Sequence, residues 1–125
     1  MVRVESWWNG LVQDRSAAVM ELVIVSISDD YESLENILGT INASDGDWGP
    51  ETWPARSAIP VSRREVIHAL GELTREGYAQ AYLLDSGEAE PVRMQESHIQ
   101  HLWFYVTPRG MEAIKRLYER IPDLT

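Results

Sequence analysis

The stretch PVSRREVIHALGELTREGYAQAYLL, residues 60–84, restricts the fold more than any other part of the chain. It carries start and stop signals for one helix. Ser62 and Glu65 have the spacing of a capping box, in which each side chain accepts from the other residue's backbone N–H. Val61 and Val66 flank the cap as a hydrophobic staple. Val66, Leu70 and Leu73 recur at helical spacing and predict a core-facing stripe. Gly77 stands where a left-handed residue ends a helix. The following YAQAYLL has strand character. A helix delivered straight into a strand calls for an α+β architecture.

The rest of the chain supplies the partners. The run AAVMELVIVSI has 11 residues and contains Glu21, against the roughly 20 apolar residues a membrane span needs. It predicts a helix from about Asp14 to Ser28, apolar on nearly every side and buried all round. The segment DDYESLENIL predicts a second helix, capped by Asp29 with Glu32 at the third position. Its apolar face is Tyr31, Leu34, Leu38 and Ile41. Residues 42–60 are rich in Gly, Pro, Ser and Asp and read as a loop that Trp48 and Trp53 pack down. Loops of this length are functional or disordered. After the strand, DSGEAEPVRMQES reads as a polar tip, and HLWFYV as the returning strand. Thr107 caps a last helix with Pro108 at its first position, lined by Met111, Ile114, Leu117 and Ile121 and stopped by Pro122. No repeat or internal boundary is visible, so residues 1–125 read as one domain with its core over about 14–121.

The joined segments VSRREVIHALGELTREGYAQAYLL and HLWFYVTPRGMEAIKRL resemble a winged helix-turn-helix domain. The resemblance implies three helices, a two-stranded β-hairpin wing and a C-terminal helix. It implies a DNA-binding regulator whose third helix reads the groove. It also implies a homodimer through the terminal helices. The residues themselves suggest the N-terminal segment and the last helix as its contact, since Trp7 and Trp8, ahead of the first regular element, need cover. One departure is the 19-residue segment between the second and third helices, where the family has a short turn.

Opposite the apolar stripe, the helix over residues 62–76 carries Arg64, His68, Gly71 and Arg75. None is a carboxylate, in a chain that has twenty. Arginines suit phosphate contacts and paired hydrogen bonds to guanine. His68 can meet a base edge, and Gly71 lets a duplex approach the backbone. A solvated polar face accounts for the same pattern. Charge pulls the other way. The chain has a net charge of −9. Residues 1–53 hold ten carboxylates against two arginines. The tip over residues 85–97 holds Asp85, Glu88, Glu90 and Glu96 against Arg93 alone. Phosphates are repelled by such a tip, which suits a protein-interaction module that binds no nucleic acid.

Other chemistry finds little support. The absence of cysteine rules out disulfides and thiolate catalysis and fits a cytoplasmic setting. His98 and His101 near Glu96 lie in a segment read as strand, where they point apart and make no metal site. Asp45 and Asp47 have calcium-loop spacing. The pattern then fails at Gly49, Pro50 and Arg56. No phosphate loop or serine elbow is present. The reading is therefore of a protein that is not an enzyme and has no cofactor. It acts on double-stranded DNA or on another protein, and not at a membrane.

Overall fold

The computed structural model describes residues 15–43, 53–85 and 87–120. Trp7, Trp8, Asp14, Trp48, Ile121, Pro122 and the calcium-like spacing at Asp45 and Asp47 lie outside these residues. The chain is α+β. Helices α1 (Arg15–Ser26), α2 (Leu34–Ile41), α3 (Arg63–Arg75) and α4 (Pro108–Arg120) are joined to strands β1 (Glu32–Ser33), β2 (Ala79–Asp85), β3 (Glu88–Val92) and β4 (Trp103–Val106). Short 3-10 helices occupy Pro54–Ala58 and Glu96–His101. The strands form one antiparallel sheet in the order β1-β4-β2-β3.

This corrects the expected two-stranded hairpin. The tip contains a strand of its own, β3, joined to β2 by a turn in which Gly87 has φ +83°. The returning strand β4 pairs with the other edge of β2. The pairing of β1 with β4 also moves the start of α2. Glu32 and Ser33 sit opposite Phe104 and Trp103, so neither belongs to a helix. Ser33, not Asp29, caps α2 by accepting from the Asn36 N–H at 3.2 Å. Tyr31 accordingly leaves the helix face, which buries Leu34, Ile37 and Ile41.

Helix α1 is central, as its composition predicts. Leu22, Val23 and Ile24 are fully enclosed, and Glu21 is buried with them. The buried Glu21 carboxylate accepts from the indole N–H of Trp53 at 3.0 Å. This fastens the segment before α3 to the core, as the sequence anticipates for Trp53. Asn42 resolves the long connection. Its side chain donates to Val61 O at 2.9 Å and accepts from Val61 N at 2.8 Å. The excursion between α2 and α3 thus leaves and returns at one point. An insertion closed at its base costs the flanking helices little.

The start and end of α3 follow the sequence rules. Both halves of the Ser62–Glu65 capping box form. Val61 and Val66 are buried. Gly77 has φ +82°, Gly77 N–H donates to Thr74 O, and Tyr78 N–H donates to Leu73 O at 2.9 Å. That pair of bonds is a Schellman ending. The chain then turns immediately into β2. In α4, Thr107 caps by accepting from Gly110 N–H at 3.1 Å. Ala113, Ile114 and Leu117 face inward, but Met111 is 46% exposed and lies off the apolar face assigned to it.

The two faces of the sheet differ. Ala79, Ala81, Phe104 and Val106 are buried against the helices. Register places Ser33, Trp103, Tyr82 and Pro91 across the opposite face, with Gln80 and Tyr105 beside them.

Candidate functional site

The outward side of α3 forms one wall of an open groove of about 1120 Å³. Arg64, His68, Gly71 and Arg75 all line it, so the structure brings the four predicted residues together. Arg64, His68 and Arg75 are exposed, and Gly71 is half-buried with open space where a Cβ would stand. The stripe is presented because Val66, Leu70 and Leu73 anchor the reverse side in the core. The facing wall comes from the end of β3 and the chain after it, through Val92, Arg93, Met94 and Glu96.

Charge in the groove is partly committed. Arg75 is paired with Glu72 one turn earlier, and the contact raises the Arg75 pKa further. Arg63 is paired with Glu35 of α2, and Arg15 of α1 with Glu65. The Arg15 contact, followed by the bonds from Ser62, lowers the Glu65 carboxyl to about 2. Arg64 and Arg93 have no ion pair among the described residues. The stripe that looks like two equivalent arginines in the sequence therefore holds one committed cation and one available one. Arg93, across the groove, is a second available cation.

Sequence reasoning misses Arg93 as a site residue because nothing local places it. Its position depends on the pairing of Val92 with Ala81, a long-range register. The same register locates the acidic tip. Ala81 and Val92 line the groove, and directly opposed or alternate residues share a face. Leu83 is opposed to Glu90, and Asp85 to Glu88. Glu90 and Glu88 therefore continue the groove-side face outward, and both are exposed.

His98 and His101 lie in a 3-10 helix, not a strand. Three residues per turn puts them on one side rather than on opposite sides. His98 Nδ1 is 3.1 Å from Gln95 Oε1. Among the described residues no group of three or more His, Asp or Glu is placed to hold a metal ion. Among the same residues no helix is long and apolar enough to cross a membrane. No family model matches the chain, nor does any curated protein or solved structure.

Proposed function

We propose that this chain is a cytoplasmic winged-helix regulatory protein that docks on double-stranded DNA through α3. One observation carries the reading: Arg64, His68, Gly71 and Arg75, none of them a carboxylate, share the outward side of α3 and line one groove with Arg93, in which Glu65, Glu72 and Glu96 also stand. Arg64 and Arg93 are the phosphate- or base-contacting groups, since each is a cation with no ion pair among the described residues. Arg75 contributes less until Glu72 releases it. Open space above Gly71 allows close backbone approach. The order of elements, with a strand pair following the third helix, supports the winged-helix assignment. The stitch between Asn42 and Val61 lets α2 and α3 sit together despite the long connection. The protein acts as a homodimer through the N-terminal segment and α4, where Met111 and Tyr118 are exposed one above the other at a spacing of seven.

The acidic tip favours a second reading. Glu88 and Glu90 extend the groove-side face. A duplex laid along α3 meets them with like charge. On this reading the same scaffold is a protein-interaction module. One titration separates the two. Wild type and the Glu88→Lys, Glu90→Lys, Glu96→Lys triple variant are titrated with mixed-sequence duplex DNA at about 50 mM salt. The DNA reading expects wild-type binding that Arg64→Ala weakens, by about 1–3 kcal/mol if Arg64 meets a base. Binding by the triple variant alone sinks it and leaves the protein-interaction module.

A further inference from the structure

The three ion pairs around α3 differ in what they join. Arg15 with Glu65 ties α1 to α3, and Arg63 with Glu35 ties α3 to α2. Both cross between helices and hold them in place. The pair of Arg75 with Glu72 lies inside α3 and ties it to nothing else. Arg75 Nη2 donates to Glu72 Oε1. The Arg75 side chain is 63% exposed and that of Glu72 26%. An exposed pair three residues apart on one helix adds little to stability. Both residues line the groove, beside Arg64.

The backbone under this pair is fixed. The Thr74 hydroxyl donates to Leu70 O at 2.8 Å and lies 3.6 Å from Met94 Sδ on the facing wall. The last turn of α3 therefore holds Glu72 and Arg75 at the groove. A carboxylate offers a guanidinium what a phosphate offers, anionic oxygens that accept from its N–H groups. While Glu72 accepts from Arg75, that guanidinium is occupied and its charge is locally cancelled. Glu76 adds negative charge near Arg75, but adjacent residues on a helix do not face each other, which leaves Glu72 as the acceptor. The contact is thus of small value to the fold and stands where a phosphate contact would be made.

We infer that Glu72 is a built-in competitor for the phosphate backbone, which keeps Arg75 off the duplex and limits how many phosphates α3 neutralises. The inference rests on the DNA reading of the groove and adds the regulation of that same site.

The test measures affinity for mixed-sequence duplex DNA by fluorescence anisotropy between about 50 and about 200 mM salt. The slope of log affinity against log salt counts phosphate contacts. Glu72→Gln keeps the size of the side chain and removes its charge. It should steepen the slope by about one, and adding Arg75→Gln should return the slope to that of wild type. Arg75→Gln alone should leave the wild-type slope unchanged, because Arg75 is held by Glu72. Glu96→Gln is the control for charge, since Glu96 lines the same groove and has no ion pair among the described residues. It should leave the slope as in wild type. Arg75→Gln flattening the wild-type slope by about one overturns the inference, because Arg75 is then already on the duplex. Equal steepening by Glu72→Gln and Glu96→Gln overturns it too, in favour of general repulsion. Either result, obtained with wild-type binding that Arg64→Ala weakens, leaves the DNA reading standing. Absence of duplex binding by both wild type and Glu72→Gln removes the DNA reading and the competitor together.

Discussion

Two glycines in helices show how one residue type records opposite constraints. Gly71 has nothing within 4 Å of the point a Cβ would occupy, and it lies in the interior of α3. Alanine there should stabilise the protein by about 0.5–1 kcal/mol, because glycine is the weaker helix former. If DNA closes on this position, the same Gly71→Ala substitution weakens binding while raising the urea midpoint. An unchanged affinity would remove Gly71 from the interface. Gly110 in α4 is the reverse case. A Cβ on it would stand 2.2 Å from Tyr78 O and 2.3 Å from Val106 Cγ2. Gly110→Ala must push α4 off the β4 end of the core, at a cost of about 1–3 kcal/mol. A midpoint equal to that of wild type would show that the helix shifts freely.

At the level of elements, α3 was legible because its determinants are local. Ser62, Glu65, Val61 and Gly77 act on their own turn of backbone, so their spacing suffices. Ser62→Ala should lower stability by about 0.5–2 kcal/mol through the lost cap, and Val61→Ser should add to the loss. An unaltered midpoint in Ser62→Ala would contradict the cap. Glu65 links this helix start to acidity. Its folded pKa, about 2, lies below the ordinary 4.5. Its contribution is therefore complete above the unfolded value and declines as pH falls from about 4.5 towards about 2. Glu65→Gln should flatten the stability–pH curve within that window. A curve parallel to wild type there would exclude the Arg15 contact as its source. Elements specified from far away were not legible. Strand β1 takes Glu32 and Ser33 from the expected helix only because β4 is alongside. The sequence EAEPV of β3 has a proline and two glutamates, poor strand formers that are tolerated at an edge. The four site residues could be read from one helix face, whereas Arg93 and the commitment of Arg75 to Glu72 required three-dimensional register and rotamers.

For the whole molecule, the proposed homodimer is tested by sedimentation at micromolar concentration. A dimer mass is expected, and Met111→Lys with Tyr118→Lys should convert it to monomer. A wild-type monomer excludes the homodimer and with it a palindromic DNA site. The junction between α3 and α4 has a consequence of another kind. Thr107 donates its hydroxyl to Gly77 O at 2.6 Å and its N–H to Tyr78 O at 3.1 Å, and the Arg109 guanidinium lies 4.6 Å from the centre of the Tyr78 ring. Residues thirty apart in the chain thus close one another's hydrogen bonds. In amide hydrogen exchange, the N–H groups of Tyr78, Thr107 and Gly110 should share one opening free energy and lose protection together on addition of denaturant. The end of one helix and the beginning of another would then melt as a single cooperative unit.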